Sequence, residues 1–177
     1  MIDEERKAEF DQLRAQLDQL MKNYNPRGEN LHFSPLARAD EKLFEDLLDL
    51  SRKGVDAVKK HRRYFKKDGL YSDGGFWYDL FLMISSAAVR IHDDPTQPTI
   101  PIRVVRGIVN ALVDISVFTT QGGDIQKRND EALGNILWAF PNEAIVRLAR
   151  DRARKIDSDD VTEFVEWTIE RVGAQRK

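Results

Sequence analysis

The stretch that decides the fold runs from Gly74 to Pro101 and reads GGFWYDLFLMISSAAVRIHDDPTQPTIP. Between Phe76 and Val89 its only charged side chain is Asp79, and no other window of the chain is as apolar. A helix that is apolar on most of its faces is stable only when other elements cover it. The sequence therefore predicts a helix over residues 76–92 at the centre of the core.

The composition around this segment is that of one globular domain. The chain has 177 residues, of which 41% are apolar and 33% charged, and this balance excludes the disordered and the membrane-spanning classes. The formal net charge is −2, so a site for an anionic partner must be a local patch. The absence of cysteine excludes a disulfide framework, a thiolate zinc site and a cysteine nucleophile. We expect a soluble cytoplasmic protein, because the acidic N-terminus is unlike a signal peptide.

Apolar side chains recur at helical spacing along most of the chain, and no segment has the pattern of a convincing strand. The sequence therefore predicts an all-α, single-domain bundle of about six or seven helices over residues 1–177. The predicted helices cover residues 2–24, 35–67, 76–92, 101–119, 129–140, 142–155 and 159–173. Gly54, inside the second of these, marks either a kink or a close contact with a neighbouring helix.

The first helix carries an apolar stripe that has two interpretations. Its members recur at spacings of three and four residues, and they are Phe10, Leu13, Leu17, Leu20 and Tyr24. The stripe either packs on the chain's own core or faces another protein. The second interpretation predicts a scaffold or adaptor, or a homo-oligomer.

The second helix is strongly basic between residues 52 and 67. Eight cations less the single carboxylate of Asp56 give this window a charge of about +7. At 100° per residue, four of the cations form one narrow stripe and two more flank it. The stripe is Arg52, Lys59, Arg63 and Lys66, flanked by Lys60 and Lys67, with Tyr64 beside it and able to stack on a base.

One-signed charge of this density indicates an anionic partner, such as a nucleic acid or another polyanion. A second basic cluster extends the surface if the fold brings it near, and it consists of Arg147, Arg150, Arg152, Arg154 and Lys155. Arg147, Arg150 and Arg154 are its candidate contacts. No helix-turn-helix, zinc-finger, RRM or KH signature is present, so we expect contact with the phosphate backbone rather than base reading. The alternatives are a solvated face balanced by acidic neighbours and an acidic protein partner.

The predicted helix over 101–119 has a polar stripe of its own. Its members are Arg103, Arg106, Gly107, Asn110 and Asp114, among positions that are mostly Val, Ile and Leu. Arginine near a helix N-terminus opposes the helix dipole, so another interaction should favour it there. The stripe is either the exposed face of an amphipathic helix, a buried polar network or an anion site formed by the two arginines.

His61, then His92-Asp93, then Asp114 form an ordered series of metal-ligand types. The series resembles the H…HD…D pattern of HD-domain phosphohydrolases, a family that is all-helical. The resemblance implies one or two divalent metals that activate water against a phosphate ester, held by these four residues. Asp94-Pro95 stands where that family usually has a glycine shortly after the HD pair. Structural or surface histidines are the alternative interpretation.

These observations lead to a ranked prediction. The first hypothesis is a non-enzymatic nucleic-acid-binding or nucleoprotein-assembly subunit, without metal or other cofactor, whose partners are a nucleic acid and other subunits of a complex. The second is an HD-like metal-dependent phosphohydrolase with His61, His92, Asp93 and Asp114 as its site. The third is a protein–protein scaffold.

Overall fold

The structure, a computed structural model, describes residues 2–70, 75–94, 96, 98–119 and 123–177. These residues contain eight α-helices and no strand, which confirms the all-α class. The helices are α1 (Ile2–Tyr24), α2 (Glu41–Lys60), α3 (Arg62–Asp68), α4 (Phe76–Asp93), α5 (Ile102–Ser116), α6 (Asp124–Ala139), α7 (Glu143–Ile156) and α8 (Asp159–Gln175). The predicted count of six or seven was too low, because one predicted helix is two.

Helix α4 lies at the centre of the bundle, as its sequence predicts. It packs against α1, α2 and α6, and nine of its side chains are buried. Phe76 and Trp77 are each only 1% exposed at its first turn. The small residues further along let α6 approach, and Asn135 of α6 donates a hydrogen bond to Ser85 Oγ at 2.5 Å. Every helix contributes side chains to the one hydrophobic cluster around α4.

Helix α1 packs on the chain's own core. All five members of its apolar stripe are buried, from Phe10 to Tyr24. They face α2 and α4, which are the neighbours of α1. A partner protein therefore cannot use this stripe, and any scaffold role would have to use the polar faces of α1.

The predicted helix over 35–67 begins later than the sequence indicated. Residues 34–40 are irregular, and α2 starts at Glu41 with Asp40 as its N-cap. The Asp40 carboxylate accepts the Leu43 N–H at 2.8 Å and the Tyr24 hydroxyl at 2.7 Å. A side chain that satisfies a free N–H of the first turn favours a helix start at the next residue. The helix therefore starts after Asp40 rather than at residue 35.

The same predicted helix is interrupted at His61. This residue has φ −104° and ψ 32°, and it is both the C-cap of α2 and the N-cap of α3. Its imidazole is buried and its Nε2 lies 3.0 Å from Glu9 Oε2 on α1. The contact with α1 is a tertiary interaction, so helical periodicity within 52–67 carries no sign of it.

The remaining helices agree with prediction to within one residue except at three ends. Helix α5 ends at Ser116 rather than at residue 119, because residues 117–119 form a turn. Helix α6 begins at Asp124, five residues before the predicted start, so Asn129 and Asp130 lie in its interior. Asn129 donates to Leu112 O on α5, and Asp130 accepts the Thr168 hydroxyl on α8. Helix α8 extends to Gln175, and its start is capped by Ser158.

Gly54 is a point of close contact between α2 and α4, one of the two interpretations that the sequence allowed. A Cβ at this position would lie 2.7 Å from Trp77 Cζ2 and 2.9 Å from Phe76 Cε1. Both rings are buried, so neither can move aside into solvent. The missing side chain thus sets the distance between the two helices.

Gly54→Ala is expected to destabilise the protein by about 1–3 kcal/mol, because overpacking against two buried rings outweighs the gain in helix propensity. The matched control is Gly173→Ala in α8, where nothing lies within 4 Å of the added Cβ. That change should be neutral or slightly stabilising. Urea unfolding of both variants followed by circular dichroism measures the difference, and equal midpoints would contradict the close contact.

Tyr24 links the end of α1 to the start of α2 through its bond to Asp40. Burial first, and next the hydrogen bond to Asp40, raise the pKa of Tyr24 to about 12. The pKa of an unfolded tyrosine is about 10. The folded state therefore holds the phenol proton more tightly. The stabilisation is fully present below about pH 10 and is lost as the pH rises through about 12.

Tyr24→Phe should remove a transition near pH 12 from a titration of the folded protein followed by phenolate absorbance. The same variant should be less stable than the parent at neutral pH, because Asp40 loses a hydrogen-bond donor. That stability difference should shrink as the pH approaches 12. A late phenolate transition that persists in the variant would refute the assignment.

Candidate polyanion-binding groove

The predicted basic stripe is divided between two helices. Arg52 and Lys59 belong to α2, whereas Arg63 and Lys66 follow the break at His61 and belong to α3. Because the helix is interrupted, the 100° rule does not carry one stripe across residue 61. Arg52 and Lys59 line a surface groove, and from α3 it is Arg62 that joins them there.

This surface, the basic groove, lies between α2, α5 and α7 and consists of two adjoining pockets. The first, the Gly107 pocket, has a volume of about 350 Å³, and the second, the Phe118 pocket, about 330 Å³. Lys59, Asp114 and Arg152 line both pockets and join them. The other described lining residues of the first pocket are Arg52, Val55, Asp56, Gly107, Asn110 and Ala111. Those of the second pocket are Arg62, Val117, Phe118, Lys155 and Ile156.

Asp114 fixes the middle of the basic groove. Arg152 Nε and Nη2 donate to its two carboxylate oxygens at 2.6 and 2.7 Å, and Lys59 Nζ lies 3.8 Å away. The Asp114 side chain is only 11% exposed, and the hydrogen bonds to it raise the pKa of the Arg152 guanidinium. A bidentate pair holds the guanidinium plane in one orientation. The arginine therefore remains in place at the groove surface.

The groove is net positive. Five cations (Arg52, Lys59, Arg62, Arg152 and Lys155) face two carboxylates, Asp56 and Asp114, which leaves a charge of +3. Lys59 and Lys155 lie in the last turns of α2 and α7, where cations also stabilise the helix dipole. Arg62 opens α3 and gains nothing from that dipole. Within the described residues neither Arg62 nor Lys155 has an ion-pair partner, so both are available to an anion.

Three members of the polar stripe of α5 line the Gly107 pocket, and they are Gly107, Asn110 and Asp114. A Cβ on Gly107 would lie 2.7 Å from Leu48 Cδ1 and 3.1 Å from Arg52 Nη2, so the glycine makes room for α2 and its arginine. Arg103 lies outside the pocket and pairs with Glu45 at 3.1 Å. The two arginines of the stripe do not line this pocket.

Three further residues of the predicted site already have partners inside the chain or lie elsewhere. Lys60 Nζ lies 2.6 Å from Glu5 Oε1 and 3.5 Å from Glu9 Oε2, which neutralises much of its charge. The guanidinium of Arg6 lies 3.4 Å from the centroid of the Tyr64 ring. One face of the tyrosine ring is therefore not open to a base. Lys67 is exposed beyond the groove, as are Arg63 and Lys66.

The arginines of α7 face two different surfaces. Arg147, Arg150 and Arg154 line a separate pocket of about 510 Å³ together with Arg176, the C-cap of α8. Arg150 makes a bidentate pair with Glu166 at 2.8 and 3.1 Å, and Arg154 pairs with Asp151 at 3.2 Å. The second basic cluster therefore joins the first only through Arg152 and Lys155. The sequence places both residues in the second basic cluster, but the candidate contacts drawn from that cluster are the three arginines that face the other surface.

A cavity of about 500 Å³ between α6 and α8 does not extend this site. Asp130, Asp160 and Glu163 line it, and Lys127 is the only cation among its lining residues. Trp167, which is 54% exposed, lies at the same cavity. The charged side chains that line this cavity are mainly acidic, so the cavity would repel an anionic ligand.

The alternative metal site does not form. His61 is engaged by Glu9, His92 stacks on Trp138 with ring centroids 3.5 Å apart, and Asp114 is held by Arg152. Asp93 contacts only the neighbouring His92, at 3.0 Å. Across the described residues, no three His, Asp or Glu side chains are grouped so that they could hold a metal ion. The described structure therefore does not bring His61, Asp114 and the His92-Asp93 pair together.

Comparison of the chain with protein-family models, with curated proteins and with solved structures finds no match. In the described part of the chain, no helix combines the length and the apolar character needed to cross a membrane. We therefore infer the function of the chain from the residues of the basic groove.

Asp114→Ala should destabilise the protein by about 1–3 kcal/mol, because it leaves Arg152 without its partner at a partly buried position. Asp151→Ala is the matched control, since its pair with Arg154 is exposed, and it should change stability by less than about 0.5 kcal/mol. A double-mutant cycle with Arg152→Ala isolates the pair. A coupling energy near zero in urea unfolding would show that the pair does not hold the groove together.

Proposed function

We propose that this chain is a non-enzymatic polyanion-binding subunit that holds the phosphate backbone of a nucleic acid in the basic groove. The observation that carries the proposal is the +3 charge of the groove in a chain whose formal net charge is −2. Phosphates are attracted to such a concentration of one sign, and the attraction falls as salt rises.

The geometry of the groove suits phosphate oxygens. Arg52 and Lys59 lie on one helix, Arg152 and Lys155 on another, so cations stand on both sides. Arg152 is held in a fixed orientation by Asp114, which lowers the entropy lost when it also contacts a ligand. Arg63, Lys66 and Lys67 on α3 provide further positive charge beyond the groove for a longer strand.

The biological setting belongs to the same proposal. A chain of this size that contacts backbone without reading bases is suited to assembly of a nucleoprotein complex, together with other subunits or with further copies of itself. We propose a cytoplasmic location, consistent with a sequence that contains no cysteine.

Labelled single-stranded and duplex oligonucleotides, titrated with the protein at several salt concentrations, test the proposal by fluorescence anisotropy. We expect micromolar or tighter binding at about 50 mM salt and a log–log salt slope of about −3 to −4 for a single strand, from the five groove cations. No binding of any nucleic acid at that salt concentration would overturn the proposal.

Arg62→Glu combined with Lys155→Glu should weaken binding at least about tenfold and make the salt slope shallower by about one to two. Neither side chain has an ion pair within the described residues, so the double variant should remain folded, with a small loss of stability where Lys155→Glu opposes the dipole of α7. The matched control is Lys7→Glu with Lys22→Glu on α1, which changes the net charge by the same amount at exposed positions outside the groove. Equal losses in both double variants would mean that overall charge, not the groove, governs binding.

A further inference from the structure

The Phe118 pocket is lined by three apolar side chains, here called its apolar floor, and by cations. Val117 and Phe118 follow the end of α5, and Ile156 is the last residue of α7. Phe118 is 7% exposed, and the other two are partly buried. Lys59, Arg62, Arg152 and Lys155, together with Asp114, line the same pocket. A site that bound only phosphates would gain nothing from this apolar surface.

We infer that the Phe118 pocket receives one unstacked base of a single-stranded nucleic acid, while the flanking phosphates contact the surrounding cations. The inference rests on the proposed function and names its ligand class. The volume of about 330 Å³ is at the small end of the roughly 300–1,000 Å³ that ligand pockets occupy, which suits one ring system. The adjoining Gly107 pocket continues the path of the backbone along Arg52.

A duplex is a poor ligand for this arrangement. Its bases are paired and stacked inside the helix, so it presents phosphates alone unless a base is flipped out at a cost of a few kcal/mol. In a single strand, unpaired bases can leave the stack and lie on apolar or aromatic surfaces. The apolar floor therefore favours the single strand over the duplex.

The pocket gives little basis for choosing among the four bases. Both oxygens of Asp114 accept hydrogen bonds from Arg152, and the other polar side chains among the described lining residues are cations. Contact through the faces of the bases is tolerant of sequence, because every base has such a face. We therefore expect strand-specific and sequence-tolerant binding.

The decisive experiment compares three ligands of about twelve residues at the same salt concentration: an oligothymidine strand, its duplex with oligoadenosine, and a strand of abasic deoxyribose residues. The abasic strand has the same backbone and charge but no bases. The oligothymidine should bind about five- to a hundredfold more tightly than the abasic strand and more tightly than the duplex. Since this comparison uses the unaltered chain, it does not depend on the folding of a variant.

Val117→Gln then tests the pocket itself. It should lower the affinity for oligothymidine at least about fivefold without changing the affinity for the abasic strand. Ile156→Ser should act in the same way if Val117→Gln lowers the melting temperature. The matched control is Val146→Gln, a partly buried valine in the pocket of Arg147 and Arg150, which should change neither affinity.

The outcomes separate this inference from the proposed function. Equal affinity for the oligothymidine and the abasic strand, or tighter binding of the duplex, would overturn the base pocket and leave a phosphate-binding groove. A folded Val117→Gln protein with unchanged affinity for oligothymidine would also overturn it. Failure of all three ligands to bind at about 50 mM salt would overturn both.

Discussion

The close packing of α2 against two neighbours is the constraint on which the rest of the structure depends. Two glycines permit it. Gly54 on α2 lies against the Phe76 and Trp77 rings of α4, and Gly107 on α5 lies against Leu48 and Arg52 of α2. With both contacts made, the rotation of α2 about its own axis is fixed. Its apolar residues then face the core, and Arg52 and Lys59 border α5 and α7.

The polar groups of the groove follow from this arrangement. Asp114 would be costly at 11% exposure without a partner, and Arg152 supplies one from α7 with two hydrogen bonds. The pair links α5 to α7 and leaves the arginine edge at the surface. Stability and the proposed function are therefore coupled here, since the group that neutralises the buried carboxylate is also a wall of the groove.

Charge segregation decides which basic residues remain available. Lys60 and Arg150 carry the same charge as the groove cations, yet each lies against a carboxylate of a neighbouring helix. Arg62 and Lys155 have no such partner within the described residues. The density of cations in the sequence therefore overstates the charge that an anionic ligand meets. The cations most available to an anionic ligand are those that the tertiary packing places at the groove without a carboxylate partner.

The sequence by itself determined the helical class, the central position of α4 and the bounds of α1. These features depend on apolar periodicity between residues within four positions of one another. Only the tertiary structure decided the break at His61, the early start of α6 and the division of the α7 arginines between two surfaces. Each of these depends on a partner far away in sequence, such as Glu9 for His61 or Asp114 for Arg152. Local spacing shows which residues share a helix face, but which neighbour that face meets is set by the packing of the whole chain.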